Sequence, residues 1–494
     1  MTTPDFPGFA ALFAQQLSQL RTTLGPSLHQ FEALCAAWIP RHLLAQQDEG
    51  PHSRNRSWNL RLVFWTFLWQ VAHAGVACRE AILQARKLCE VQKRPPPPEK
   101  TSPYCQARAQ LPLERLDDIH DALVTEAQAG VATRDLWCGR RVFAVDGTTV
   151  TAPDTPENQA VYPQQKVQRP GCGFPIIRLV ALFALATGMI TGWITGAWGQ
   201  SELGLLQKLW EELRPGDVLL GDRGFCAWGL LAQCQARQIH AVFRVRGSLR
   251  SDFRRGKRLG PDEREVRWRK SAQRPKTVTA EEWASLPEIL VLRLVRCRVQ
   301  VRGFRTRQVL LATTLLDRQR YPREALSTLY LRRWEMELCL RHLKVTLQMD
   351  HLSCKTPENL QRELRMHLLM HNLVRRVLLE AARRHGAPVN RLSFAGALAA
   401  CRRCAEALLQ VRSQRQRREL LDQMFRDVAA DRVPDRPGRR EPRAVKRRPK
   451  PYSRLTCHRH KFREIQHQNR YYKTRRPGSR CRKSSRAWLT AIRD

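Results

Sequence analysis

The sequence has few acidic residues for its size. It contains 45 aspartates and glutamates against 86 lysines and arginines in 494 residues, which leaves a formal net charge of +41. A deficit of this size predicts a polyanionic partner, above all nucleic acid, whose phosphates attract such an excess of cations. The alternative is an abundant basic protein without a specific partner.

Three other features are missing or scarce. The first residues, MTTPDFPGFAALF, show no basic lead before an apolar run, so we expect no secretory signal. Fifteen cysteines follow no regular spacing, which indicates reduced thiols in a cytosolic protein. One run, residues 176–198, imitates a membrane span, but its glycines and β-branched residues predict two or three buried strands joined by a turn near Gly188. We therefore expect a cytoplasmic protein without a membrane partner.

Changes in residue pattern divide the chain. Helical periodicity dominates the beginning and is broken by the prolines at 95–98, and strands later alternate with helices in the manner of an α/β domain. The predicted parts are a helical N-terminal DNA-binding domain at 1–130, the first part of an α/β catalytic domain at 138–246, a β-rich insertion at 247–309, the second catalytic part at 310–385, and C-terminal helices with a basic DNA-contacting tail at 386–494.

The tail is the most basic part of the chain. Residues 431–494 contain 22 lysines and arginines against 5 acidic residues, with few apolar side chains. Such a composition predicts a segment that is largely unfolded alone and becomes ordered on a polyanion.

Two aspartates occupy equivalent places in the predicted sheet. Asp146 directly follows the apolar run 142–145. Asp222 follows the apolar run 218–220 and the glycine after it. Each is followed closely by a glycine, and catalytic groups of open α/β sheets collect at such strand ends. The alternative is that each aspartate simply begins a turn, which is common.

A long helix, predicted from about residue 322 to 347, carries the third acidic candidate. At about 100° per residue, Tyr330, Arg333, Glu337 and Lys344 fall on one narrow stripe, while Glu335 lies nearly opposite. The stripe selects Glu337 over its neighbour, although it could also be an ordinary solvated face.

Together these residues suit phosphodiester chemistry. Two divalent ions about 4 Å apart can neutralise charge on the attacking and leaving oxygens, and Mg²⁺ or Mn²⁺ prefers carboxylate oxygens. We expect Asp146, Asp222 and Glu337 to be the catalytic residues and to hold two ions. Arg333 and Lys344 would bind DNA phosphates, and Tyr330 would stack on or hydrogen-bond to a DNA terminus.

The spacing Tyr330-x2-Arg333-x3-Glu337-x6-Lys344 resembles the signature of the insertion-sequence-four type of DDE transposases. The segments around Asp146-Gly147-Thr148 and Gly221-Asp222-Arg223-Gly224 resemble that family's two aspartate blocks. The resemblance extends to the helical N-terminal region and to a basic C-terminal block at 446–452, so it covers almost the whole chain.

The resemblance implies a ribonuclease-H-like catalytic fold with a β-rich insertion between the second aspartate and the glutamate. It also implies a bacterial, nucleoid-associated enzyme that works as a homodimer on the terminal inverted repeats of its own element. Such an enzyme cleaves DNA at the element ends and joins a freed 3′ hydroxyl to target DNA. Two alternatives stay open: a nuclease of the same fold without strand transfer, and a DNA-binding protein derived from a transposase.

Overall fold

The computed structural model describes residues 38–45, 57–91, 93–246, 256–298, 308–407, 413–434 and 455–461, together with Cys35 and Val411. The chain divides into two compact units. The larger contains residues 1–165 and 174–441, and the smaller contains residues 166–173 and 442–494. The predicted basic tail lies mostly outside the described residues.

The described strands of the larger unit form one nine-stranded sheet in the order β3-β2-β1-β4-β5-β9-β8-β7-β6. Strand β1 pairs antiparallel with β2 and parallel with β4, and β4 pairs parallel with β5. The fold is therefore mixed α/β, as the sequence predicted. The strands are β1 (Val142–Thr151), β2 (Ile176–Ala184), β3 (Ile190–Ala197), β4 (Val218–Gly221), β5 (His240–Arg244), β6 (Lys257–Gly260), β7 (Glu263–Arg269), β8 (Ile289–Arg298) and β9 (Gln308–Thr313).

Alternation along β1 separates two hydrophobic cores. Val142 and Ala144 contribute to the larger core, and Phe143 and Val145 contribute to the second core on the other side of the sheet. Because successive side chains of a strand point to opposite faces, the continuous apolar run of β1 indicates a strand that is covered on both faces. The run at 176–198 forms β2 and β3, which confirms the strand interpretation. The described helices include none that is both long enough and apolar enough to cross a bilayer.

Helices cover the two faces. Asn59 and Thr356 begin the first and the longest helix by accepting hydrogen bonds from the backbone N–H groups of Leu62 and Asn359. Gly386, in the left-handed conformation, ends the longest one. The helices are α1 (Leu60–Ala72), α2 (Cys78–Val91), α3 (Thr101–Ala109), α4 (Leu113–Ala129), α5 (Pro156–Val161), α6 (Glu202–Leu206), α7 (Trp228–Ala236), α8 (Ala280–Ser285), α9 (Arg323–Arg332), α10 (Trp334–Arg341), α11 (Pro357–His385), α12 (Phe394–Ala407) and α13 (Gln414–Ala430).

The helix predicted as continuous from about 322 to 347 has three successive parts. Helix α9 ends at Arg332, α10 begins at Trp334, and a π-helical segment follows at His342–Thr346. In that segment Leu347 N–H donates to the carbonyl of His342, five residues earlier, at 2.9 Å. The wider turn changes the direction of side chains beyond Arg341 from the one that an unbroken α-helix gives.

The region predicted as a β-rich insertion extends the main sheet. Within its described residues, β7 pairs with β8, and β8 pairs with β9, which joins β5. Both ends of the region, at 247–255 and 299–307, lie outside the described residues.

The smaller unit is described at 166–173 and 455–461. There Arg169 Nη1 donates to the carbonyl of Thr456 at 3.4 Å, and a short 3₁₀ turn covers Arg459–Lys461.

Candidate active site

Strand register places the two aspartates side by side. In the parallel pair β1–β4, Ala144 lies opposite Leu220. Two residues further along each chain come Asp146 and Asp222. Neighbouring strands lie about 4.8 Å apart, so the two carboxylates extend from adjacent positions. Asp222 follows the end of β4, as the sequence predicted, but Asp146 lies in the middle of β1, which continues to Thr151. Ala144 and Leu220 both belong to the larger core. Since β1 alternates, the Asp146 side chain points to that same face.

Helix α10 covers this face and carries Glu337. Its buried residues Met336 and Leu340 pack in the same larger core. Helix α10 contacts β1, and the negative charges of Asp222 and Glu337 both raise the pKa of Asp146. Glu335 turns elsewhere and pairs with Arg332 Nε at 3.0 Å. The structure therefore brings together the three carboxylates that the sequence selected.

Asp146 has an unusual protonation equilibrium. The pKa of Asp146 is raised to about 6, chiefly by burial and to a lesser extent by the negative charges of Asp222 and Glu337. The Gly147 N–H, which donates to Oδ1 at 2.9 Å, and the Arg333 guanidinium lower the same pKa without cancelling the effect of burial. A half-buried site with this excess of negative charge is suited to a cation.

Each carboxylate has one oxygen engaged within the protein. Asp146 Oδ1 accepts from Gly147, Asp222 Oδ1 accepts from Gly224 N–H at 2.6 Å, and Glu337 Oε1 accepts from Arg333 Nη2 at 2.6 Å. Among the described residues, no hydrogen bond engages their second oxygens. Within the same residues, no three carboxylate, imidazole or thiol groups form a preformed metal cage.

The turn after Asp222 depends on glycine and on one arginine. A Cβ at Gly224 would approach Asp222 Oδ1 to 2.8 Å, so a larger residue would disturb that carboxylate. Arg246 donates from Nε to the carbonyl of Arg223 at 2.8 Å and from Nη2 to the carbonyl of Gly224. Sequence reasoning missed Arg246, because no local pattern connects it to a turn more than twenty residues earlier.

Tyr330 and Arg333 lie beside the carboxylates. The Arg333 guanidinium carbon is 5.9 Å from the centre of the Tyr330 ring. Burial raises the pKa of Tyr330, the charges of Arg333 and Arg244 lower it, and Asp222 raises it. Arg244, on β5, is therefore a second cation near the site that sequence reasoning did not select.

Lys344 lies elsewhere. Its ammonium pairs with Asp350 Oδ1 at 2.9 Å, and the Asp350 carbonyl accepts from the backbone and the hydroxyl of Thr151 at 3.0 and 2.9 Å. Thr151 is five residues beyond Asp146 on β1, about 16 Å along the strand. The contacts recorded for Lys344 thus place it at the end of β1 and not among the carboxylates.

Comparison with known proteins indicates the family of this chain. A family described as Transposase DDE domain matches residues 137–373, a span that contains all three carboxylates and Lys344. The transposase InsG for insertion sequence element IS4 of Escherichia coli (strain K12) is 29% identical over 323 residues, 64% of this chain and 70% of that protein. Both matches support a DDE transposase of the insertion-sequence-four type. They also support an enzyme of the transposase kind.

A solved structure also matches this chain. It is the cryo-EM structure of the piggyBac transposase synaptic complex with hairpin DNA, with a TM-score of 0.39 and 9% sequence identity. The match covers 82% of this chain and 85% of that one.

Proposed function

We propose that the enzyme cleaves DNA at the ends of a transposable element and joins those ends to target DNA, with Asp146, Asp222 and Glu337 as the catalytic residues. The observation that carries the proposal is the β1–β4 register, which puts the two aspartates side by side under the helix of Glu337. The family match supplies the reaction class.

The fold of the catalytic part is, in this proposal, ribonuclease-H-like. Its support is the strand order 3-2-1-4-5, in which β2 pairs antiparallel with both β1 and β3, while β4 and β5 run parallel to β1. Strands β9 to β6 then extend the sheet beyond β5, in the interval where the family places its insertion.

The donor set fits hard divalent ions. Three carboxylates with one unengaged oxygen each, around a site with excess negative charge, are the ligands that Mg²⁺ or Mn²⁺ prefers. Asp146, Asp222 and Glu337 would hold two such ions, which when bound would act as Lewis acids on phosphodiester oxygens. Because Glu337 is paired with Arg333, metal binding would be accompanied by a weakening of that ion pair.

Released from Glu337, Arg333 would be available to a DNA phosphate beside the carboxylates. Its guanidinium suits bidentate recognition of phosphate oxygens, and Tyr330 offers a phenol next to it. Lys344 would contact the DNA backbone further along β1. In this proposal Tyr330, Arg333 and Lys344 keep the DNA-binding roles predicted from the sequence. Lys344 would contact a different part of the DNA from the other two.

The proposed partners are the terminal inverted repeats, the target DNA and a second copy of the chain. The net charge of +41 supports DNA. The homodimer on paired ends is carried over from the family resemblance, and the mass of the complex formed with end DNA tests it.

The decisive experiment uses duplex DNA that carries the sequence immediately flanking the reading frame. We expect the wild-type protein to cleave this duplex only when Mg²⁺ or Mn²⁺ is present. The variant Asp146→Asn keeps the size of the side chain and should bind the same duplex without cleaving it. Strand joining is followed with a pre-cleaved end and a supercoiled target plasmid.

Three results would contradict the proposal in different ways. Absence of cleavage by the wild-type protein with either metal would contradict the proposed enzymatic activity and favour a DNA-binding protein. Cleavage without joining to the plasmid would favour a nuclease of the same fold. Cleavage by Asp146→Asn at the wild-type rate would overturn the site assignment alone.

A further inference from the structure

A group of thiols lies in the helical layer formed by α1 to α3, apart from the carboxylate site. Cys78 is the first residue of α2, and Cys105 is an exposed residue of α3. Cys105 lies one helical turn before Arg108 on α3, and Arg108 contacts the Cys78 sulfur, so the two cysteines lie on neighbouring helices near the same guanidinium. All described cysteines are free thiols, so the pair is in its reduced form.

Two polar side chains hold the Cys78 sulfur. Gln70 Nε2 donates to it at 3.7 Å, and Arg108 Nη1 donates at 3.6 Å. The other amino group of Arg108 reaches the sulfur of Cys354 at 3.4 Å. Arg108 is buried, and its guanidinium lies 3.6 Å from the centre of the Phe67 ring. A buried cation with two sulfur contacts is an unusual environment, because most buried thiols are packed as small apolar groups.

We propose that Cys78 and Cys105 form a peroxide-sensitive thiol pair, in which Cys78 is the residue attacked by the oxidant and Cys105 resolves the product into a disulfide. The geometry supplies the requirements for such a pair. Cys78 stands at a helix N-terminus beside a guanidinium, which favours the reactive thiolate. Cys105 lies on the neighbouring helix, three residues before the arginine that contacts the Cys78 sulfur, and it is exposed to solvent.

The reaction balances with hydrogen peroxide as the oxidant. The Cys78 thiolate attacks one peroxide oxygen, which breaks the O–O bond and leaves a sulfenic acid and hydroxide. The Cys105 sulfur then attacks the Cys78 sulfur, loses its proton and releases water. In sum, two thiols and one peroxide give one disulfide and two waters. The contacts with Cys105, Gln70 and Arg108 lower the pKa of the Cys78 thiol, while contact with Cys78 and burial raise the pKa of Cys105. This assigns the attacking role to Cys78.

The test treats the reduced full-length protein with hydrogen peroxide, alkylates the remaining thiols and maps the linked peptides by mass spectrometry under non-reducing conditions. We expect a Cys78–Cys105 disulfide as the first product. Cys138 has a comparable, intermediate exposure, and burial raises the pKa of its thiol. It is the internal control, and Cys78 should react about tenfold faster at pH 7. Between pH 6 and 8 alkylation of Cys78 should change little, whereas that of Cys138 should rise steeply.

A variant distinguishes the two roles. In Cys105→Ser the sulfenic acid of Cys78 has no resolving partner and should be trapped by dimedone, while Cys354→Ser should still form the Cys78–Cys105 bond. A first disulfide between Cys78 and Cys354 would overturn the assignment of the resolving residue. Equal reactivity of Cys78 and Cys138 in the wild-type protein would overturn the proposal as a whole. None of these outcomes depends on DNA cleavage.

Discussion

In the metal-free protein, burial and acidic neighbours destabilise the charged form of the Asp146 carboxyl. Metal binding, however, needs that charged form. The pKa of Asp146, about 6, lies above the ordinary value of 3.8. Such a carboxyl destabilises the fold once the pH exceeds its folded pKa, and the penalty disappears as the pH falls below the unfolded value. Two pKa units correspond to at most roughly 3 kcal/mol, which solvent screening of a half-buried group reduces to about 1–2 kcal/mol.

We therefore predict that Asp146→Asn raises the free energy of unfolding by about 1–2 kcal/mol at pH 8 without metal. The difference should shrink between pH 6 and pH 4. Urea unfolding at four pH values measures it. Asp118→Asn, an exposed change of the same charge on α4, is the control and should show no comparable effect. A destabilising Asp146→Asn at pH 8 would contradict the electrostatic description of the site.

Glu335 and Glu337 provide a second residue-scale prediction. Glu337→Gln should reduce metal-dependent cleavage by roughly a hundredfold or more, on the scale of losing one essential charge-stabilising group. Glu335→Gln should stay within a few fold of the wild type, because Glu335 pairs with Arg332 on another side of the helix. Initial cleavage rates at saturating Mg²⁺ decide between them. Similar losses of cleavage activity in both variants would mean that the position of a glutamate around the helix axis does not identify the catalytic carboxylate.

At the scale of elements, local patterns predicted the strands and the choice of Glu337 but not the interruption of the helix. The apolar runs that end at Asp146 and Gly221 are visible in the sequence, and their pairing follows from the parallel topology. The break at Arg333 and the π-segment after Arg341 depend on tertiary contacts, among them the ring of His342 stacked 4.4 Å from Phe394. No helical periodicity contains this information, so the sequence did not predict that Lys344 pairs with Asp350.

The extension of the sheet by strands β6 to β9 could not be predicted from the sequence for a similar reason. Charged residues alternate along β7, and one of them, Glu263, is buried and accepts from Arg293 Nε of β8 at 2.8 Å. Arg293 also donates to the carbonyl of Tyr321 at 2.7 Å. A partner thirty residues away cannot be read from the local pattern.

The buried pair of Glu263 and Arg293 gives a prediction for strands β7 and β8. Glu263→Gln leaves the buried Arg293 without its counter-charge and should lower the free energy of unfolding by about 3 kcal/mol or more. Glu288→Gln removes an exposed carboxylate from Lys270, whose ammonium keeps its hydrogen bond to the Leu286 carbonyl, and should cost less than about 1 kcal/mol. Chemical unfolding of the two variants gives both values. Equal effects would show that β7 and β8 are not stabilised by the buried charge pair.

The segment after the π-helix yields another prediction. Asp350 holds Lys344 at 2.9 Å, so it competes with any DNA phosphate for the ammonium. Asp350→Asn should tighten binding of a duplex about two- to fivefold at low salt, since an exposed ion pair is worth up to about 1 kcal/mol. Fluorescence anisotropy measures this. Asp118→Asn changes the net charge equally and is the control, and Lys344→Gln should abolish the gain. A gain that survives Lys344→Gln would exclude the proposed competition.

For the whole molecule, the charge of +41 determines how DNA binding responds to salt. Each phosphate that a cation neutralises contributes about −0.9 to the slope of log K against log salt concentration. A protein with at least six phosphate contacts should therefore show a slope of about −5 or steeper on a duplex without inverted repeats. Replacing Lys446, Arg447 and Arg448 by glutamine tests the tail. If all three contact phosphates, the slope should become shallower by about 3, while an unchanged slope would show that these three residues do not contact phosphates. A flat response in the wild-type protein would show that its charge excess does not serve DNA binding.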